Sequence, residues 1–297
     1  MKMASKNRGL IIGILCYVLW GILPVYWNLL SGVSPLLILC ARVVFAFIFM
    51  ICLLAVTGKM HIFWSSFTDK GKMKFLVPAS FFIAFNWGLF IYAVNTGQII
   101  YSSLGYYMNP LVAFLLGVII FREKYTILQL VAVGLAFAGL LVSIIAYGRV
   151  PIISISLALS FATYGVLKKK ANADPNSSIA IESMIITPFA LIFAMGFMTD
   201  SMRTVSGWEW VLFVGGGAAT AIPLVMYSRA VNDIPFITVG FLQYISPSLS
   251  LIYGLLVGIR PTESQIVSFI FIGLGLVVFS VALVRIAKRE REQNKPL

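Results

Sequence analysis

Charge is what this sequence has least of. Only 11% of its 297 residues are Asp, Glu, Lys or Arg, and just ten are acidic, whereas soluble domains carry about 25% charged residues. Hydrophobic residues make up 60%, an excess that a water-soluble chain of this length could not cover with polar surface. That excludes a cytosolic enzyme and a disordered regulator. Cysteine is nearly absent too. Cys16, Cys40 and Cys52 all lie in apolar stretches and in no metal-ligand spacing, so they are expected to be small buried apolar side chains and not a disulfide framework. The sole histidine, His61, sits in a polar gap, which leaves no imidazole for a metal site or catalytic triad in the apolar segments. No phosphate-binding loop is present. Gly215-Gly216-Gly217 lacks the strand–turn–helix context such a loop needs, so an ATP-driven pump carried on this chain is excluded, and neither enzyme activity nor a cofactor is expected.

What is there is a series of long apolar runs. A bilayer core about 30 Å thick takes roughly 20 helical residues, and ten such runs can be marked: 9–30, 35–56, 75–94, 102–120, 128–146, 152–167, 179–198, 211–230, 236–257 and 265–284. They do not alternate in polarity as transmembrane strands do. The expected fold is an all-α membrane protein with ten transmembrane helices. The first run exceeds the length of a signal-peptide core and has no small-x-small site after it, so it is read as an uncleaved first span.

The formal net charge of +12 raises the question of a nucleic-acid partner. The cations do not cluster on one polar face among aromatics, as nucleic-acid binding would need; they fall in the short gaps and termini. With the N-terminus inside, 18 Lys and Arg lie in cytoplasmic segments and three, Arg149, Arg203 and Arg260, in outer ones. Positive charge marks the cytoplasmic side of membrane proteins, so both ends are expected to be cytoplasmic, with 285–297 as a basic cytoplasmic tail. The remaining cation, Arg42, lies within the second span.

The chain also matches itself. At an offset of 137 residues, 93–117 and 230–254 share seven identities in 25 positions: Ala93/Ala230, Val94/Val231, Asn95/Asn232, Ile100/Ile237, Tyr107/Tyr244, Pro110/Pro247 and Gly117/Gly254. After a one-residue slip Gly139 faces Gly275. Each copy then holds five spans, 9–146 and 151–284. Because five is odd, the second copy enters the membrane from the opposite side. Two inverted five-helix repeats are typical of secondary transporters; the alternative is a duplication kept for packing.

The stretches YVLWGILPVYWN in span one, ARVVFAF in span two, FNWGLFIYAVN in span three, SLGYYMNPL in span four and FLQYISPSLSL in span nine resemble the RarD family, of the EamA-type branch of the drug/metabolite transporter superfamily. The resemblance runs from about residue 9 to 284. It implies ten helices in two inverted halves in a bacterial cytoplasmic membrane. RarD-like chains often carry His before the span-two Arg; here that position is Ala41.

Two charges stand inside the spans, Arg42 and Glu182. Intramembrane charges usually face a cavity or a partner. Arg42 is placed to give a substrate cavity positive potential, attracting a carboxylate or another electron-rich group; the alternative is a structural Arg bonded to helix-end carbonyls or snorkelling outwards. Glu182 is the candidate proton-coupling group, with a partly hydrated Glu near Lys168, Lys169 and Lys170 as the alternative. An Arg42–Glu182 ion pair is a further arrangement, although the two lie at different depths. Candidate substrate-binding residues are Tyr17, Trp20, Arg42, Asn86, Trp87, Tyr107, Asn109, Tyr164, Gln243 and Tyr244, since aromatic faces with a few amides suit organic substrates. The alternative for the aromatics is interfacial belts and helix packing. Pro110 and Pro247 are hinge candidates, because a Pro inside a helix removes a backbone bond.

The resulting expectation is a secondary-active permease exporting small organic metabolites or drug-like molecules by alternating access. Its partners would be the lipid bilayer, a small organic substrate and the proton as coupling-ion candidate, with no nucleic acid. An uptake permease of the same fold and a membrane-embedded sensor are the alternatives. Nothing in the sequence sets an oligomeric state.

Overall fold

Inside a bilayer every backbone N–H and C=O must be satisfied by the protein, and a helix does this within one segment. The computed structural model describes residues 2–96, 98–148, 152–256 and 262–293. Arg149, Arg260 and the tail residues 294–297 lie outside the described residues, as do the side chains of Val94 and Ile100 and the surroundings of Gly254.

Thirteen helices are described: α1 (Lys2–Asn28), α2 (Pro35–Val56), α3 (Met60–Thr68), α4 (Lys70–Asn95), α5 (Ile99–Phe121), α6 (Ile127–Tyr147), α7 (Ile152–Ala171), α8 (Pro175–Phe197), α9 (Thr199–Arg203), α10 (Gly207–Asp233), α11 (Phe236–Leu242), α12 (Ile245–Leu256) and α13 (Glu263–Gln293). Ten candidate spans are long and apolar enough to cross a membrane, with α11 and α12 together forming the ninth. The outward surface is apolar as lipid requires: Ile192, for example, is 70% exposed. Cys52 is exposed as well, correcting the expectation that all three cysteines are buried. It lies on an apolar span, where lipid is the neighbour.

Local chemistry explains where the spans depart from the hydropathy reading. The sixth, expected at 152–167, runs on to Ala171 because Lys168 and Lys169 find acidic partners. The seventh starts earlier than expected, at Pro175, where Asp174 accepts a hydrogen bond from the Ser177 N–H at 3.0 Å and Pro stands at the first helical turn. Thr126 with Gln129 and Ser206 with Glu209 form capping boxes that start α6 and α10. The short helix α3, which carries His61, occupies a gap that hydropathy leaves blank.

The two repeat prolines behave differently. α5 runs unbroken through Pro110. The ninth span breaks at Gln243–Tyr244, before Pro247. Pro247 has no N–H for the Gln243 carbonyl four residues back, and its ring crowds that position. The Ser246 N–H bonds the Gln243 carbonyl instead, at 3.1 Å, in a tighter i→i−3 turn.

Helix pairing sets the architecture. α6 packs on α13, α4 on α7, α1 on α10 and α12, α2 on α8 and α10, and α5 on α7 and α11. One core cluster gathers α1, α2, α4, α7, α8 and α10; a second joins α5, α6, α11 and α13. Small residues allow the close approaches. A Cβ at Gly139 on α6 would meet the Ser268 carbonyl of α13, and one at Gly275 on α13 would meet the Ala132 carbonyl of α6. Between them Ser268 donates to the Gly139 carbonyl at 2.7 Å. Where α10 crosses α2, a Cβ on Gly217 would strike the Phe45 backbone. Gly134, on α6, has open space around it. Gly217→Ala is therefore expected to lower the thermal unfolding temperature in detergent by several degrees. Gly134→Ala should leave it unchanged or raise it, since Ala in a helix interior is better than Gly by about 0.5–1 kcal/mol.

Candidate functional site

Helical spacing brings the first set of polar groups together. Tyr164 and Lys168 are four residues apart on α7, and Ser178 and Glu182 four apart on α8, so each pair shares one helix face. The faces meet. Lys168 Nζ lies 2.5 Å from Glu182 Oε1 and donates to Ser178 Oγ at 2.5 Å. The Tyr164 hydroxyl donates to Glu182 Oε2 at 3.0 Å. Ser178 Oγ is also 3.2 Å from Ser228 Oγ on α10. Lys168 is 2% exposed and Glu182 4%. Glu182 thus lies near Lys168, as its alternative reading held, but is buried and not partly hydrated. Its cationic partner is Lys168 and not Arg42, in keeping with the different depths of Arg42 and Glu182.

The three consecutive lysines diverge because each helical residue turns about 100° from the last. Lys168 enters the core, while Lys170 is exposed. Lys169 sits 3.3 Å from Glu123 Oε1 and donates to the Ile234 carbonyl at 2.7 Å. Glu123 in turn accepts the backbone N–H groups of Phe236 at 2.7 Å and Ile237 at 2.9 Å, capping the start of α11. The acidic side chain suits the positive end of that helix.

Arg42, on α2, has a different environment. Its Nε donates to Thr220 Oγ1 of α10 at 3.2 Å. Its guanidinium carbon lies 4.4 Å from the Trp87 ring centre and 5.0 Å from that of Trp27, both within cation–π range. Among the described residues it bonds neither a helix-end carbonyl nor a carboxylate. Between the Arg42 and Glu182 environments lies a narrow cavity of about 20 Å³, room for one water. Val43, Ile83, Trp87, Glu182, Ser183 and Thr220 are among its lining residues. The lining therefore comes from α2 and α4 on one side and α8 and α10 on the other.

The other sequence-selected residues divide into two groups. Tyr17 and Trp20 join an aromatic cluster beside Glu182: Trp20 meets Phe161 at 5.9 Å and Tyr227 at 5.7 Å, and Tyr164 stacks on Tyr227 at 5.8 Å. Tyr227 and Thr220 escaped the sequence reading, although both are buried on α10, about two and four turns from its polar end at Asp233. The Tyr17 hydroxyl is buried without a hydrogen-bond partner. Asn86 donates to the Leu157 carbonyl and to Ser160 Oγ, both at 2.9 Å, tying α4 to α7. The repeat residues gather elsewhere, at the α5–α11–α12 seam. There Tyr244 donates to the Tyr107 carbonyl at 3.1 Å, and Asn109 donates to Gln243 Oε1. They do not line the cavity.

Comparison with known proteins bears directly on this helical bundle. The EamA-like transporter family model matches residues 7–145 and again 150–281. The chain belongs to that family. It is also 35% identical to the uncharacterized transporter YojE of Bacillus subtilis over 96% of this chain and 97% of that one. To protein RarD of Escherichia coli it is 32% identical over 97% and 99% of the two chains. A protein of known crystal structure aligns over 92% of this chain and 97% of its own with a TM-score of 0.73 at 15% identity, which shows a shared fold. This is a RarD-like membrane transporter of the drug/metabolite transporter superfamily.

Breaking one partner of a buried ion pair leaves an uncompensated charge and costs about 3–5 kcal/mol, whereas replacing both can be nearly neutral. Lys168→Met and Glu182→Gln alone should each strongly lower the melting temperature of this transporter. The double variant should recover most of that loss, a non-additivity that thermal unfolding in one detergent would measure.

Proposed function

We propose that this chain is a secondary-active exporter of small organic molecules that alternates access between two inverted five-helix halves, 9–146 and 151–284. The observation that carries the reading is the cavity's position. Its walls come from α2 and α4 of the first half and α8 and α10 of the second, and transporter sites lie at such repeat interfaces. The helix pairs support the two-fold relation. Exchanging the halves turns the α4–α7 contact into α10–α1, and α5–α7 into α11/α12–α1, while α2–α8, α5–α11 and α6–α13 map onto themselves. The two successive family matches agree with this division.

Both termini are cytoplasmic in this reading, on the strength of 18 inner against three outer cations. The Lys168–Glu182 end of the cavity then faces the cytoplasm. Glu182 is the proton-coupling group. Protonation removes its charge, releases Lys168 and frees the Tyr164 hydroxyl, so a proton changes the contacts between α7 and α8. Arg42 and Trp87 contact substrate from the first half, with Tyr17, Trp20 and Tyr164 as the aromatic wall. Pro247 sets a hinge at the α11–α12 break.

The test is a metabolite and drug panel on proteoliposomes with and without a pH gradient. Saturable flux, driven against its concentration by the gradient and outward with respect to the native cytoplasmic face, is expected. The Lys168→Met/Glu182→Gln double variant should keep downhill flux and lose gradient-driven accumulation. If that variant still accumulates substrate, Glu182 is not the coupling group. If the wild type gives no saturable flux across the panel, the chain is not a transporter of this class.

A further inference from the structure

Among the described residues, the cations drawn into the Lys168 end of the bundle have acidic partners. Lys168 meets Glu182, Lys169 meets Glu123, and Arg229 bonds Asp233. Among the described residues, no carboxylate lies within ion-pair distance of Arg42. A guanidinium carries five N–H donors, and among the described residues it makes one hydrogen bond, to Thr220 Oγ1, with the Tyr106 hydroxyl within electrostatic reach. The two indole rings that lie against it, Trp27 and Trp87, offer aromatic faces and no acceptor for the outer nitrogens.

Two facts define what would complete this site. The first is charge. Lys168 and Glu182 cancel, so the polar centre of α2, α7, α8 and α10 carries one uncompensated positive charge, which is costly in a low-dielectric interior. A single negative charge neutralises it. A neutral ligand leaves the cation unmatched, and a doubly charged one replaces it with a buried anion. The second is shape. The planar fork of Arg fits the two oxygens of a carboxylate in parallel hydrogen bonds. The adjoining wall is mostly apolar, with Val43, Ile83, Ala84 and Ile186, its polar members being Ser183, Thr220 and Glu182, whose charge Lys168 already neutralises.

Building on the transport reading above, we propose that Arg42, held by Thr220 and flanked by Trp27 and Trp87, is the anchor for an organic monocarboxylate with an apolar body. At about 20 Å³ the cavity beside it is too small for such a molecule. The structure is thus a closed form, and the ligand enters when α2 and α4 part from α8 and α10. Binding then couples to the same movement that alternating access requires.

The experiment measures equilibrium binding of radiolabelled benzoate, hexanoate and 3-phenylpropionate to the full-length protein in lipid nanodiscs. Benzamide and phthalate serve as neutral and doubly charged competitors. At least one monocarboxylate should bind saturably, with benzamide and phthalate competing at least tenfold more weakly than benzoate. Arg42→Gln should weaken binding tenfold or more, and Arg42→Lys, which keeps the charge and loses the fork, should fall between. No saturable monocarboxylate binding, equal affinity in Arg42→Gln, or equal competition by benzamide would each overturn the proposal. The competition in the wild type decides the matter even if an Arg42 variant fails to fold. Flux of the same probes separates this proposal from the reading it rests on. Binding without flux for any compound keeps the anion site and rejects transport; saturable flux of neutral or cationic compounds without carboxylate binding does the reverse.

Discussion

The constraint on which the rest depends is that a charge within the bilayer interior must be neutralised by something close to it. Lys168 and Glu182 answer it for each other, and in doing so they fix α7 against α8. One residue further along, Lys169 and Glu123 extend the same logic to the α5–α6 connection and the first turn of α11. Four helices are thereby registered at one end of the bundle by two ion pairs. Both pairs are reinforced by hydrogen bonds, from Tyr164 and Ser178 in the first and from two backbone N–H groups in the second. Without those added donors and acceptors, desolvation would outweigh the Coulombic gain.

Between the charged positions, contact is made by shape. Hydrophobic association gives little drive between helices already surrounded by lipid, so close approach and interhelical hydrogen bonds hold them. Glycines set the approach at the α6–α13 and α2–α10 crossings. Ser268 adds a polar link at the α6–α13 crossing, and Asn86 supplies one between α4 and α7. Aromatic rings fill the space around the Lys168–Glu182 pair, from Tyr17 and Trp20 on α1 through Phe161 and Tyr164 on α7 to Tyr227 on α10. The result is a closely packed centre in which a proton or a ligand charge would have large effects.

Much of this was legible in the linear sequence, and the boundary of legibility is physical. Ten spans can be read because hydropathy summed over about 20 residues is a large signal. Arg42 and Glu182 stand out because a lone charge in such a run is rare. Lys168 was hidden. It looked like one of three gap lysines, and only the helix extending one more turn carries it inward; the i,i+4 spacings of Tyr164–Lys168 and Ser178–Glu182 were the available clue. The indole rings around Arg42 come from two other helices, and no local pattern reveals such a meeting. The internal repeat singled out Tyr107, Asn109, Gln243 and Tyr244 as cavity residues, yet they bond to one another across a seam between α5 and the α11–α12 break. Matching prolines did not produce matching breaks, since the context of Pro110 keeps α5 continuous.

The proposed alternation between two halves makes a geometric demand on the ends of the bundle. Spin labels at positions 124 and 170 report the separation of the halves at the Lys168 end, and labels at 32 and 207 report the opposite end. Double electron–electron resonance in liposomes, with and without a transported substrate, should show two distances for each pair whose populations shift in opposite directions. Both ends widening together, or single unchanging distances at both, would contradict alternating access.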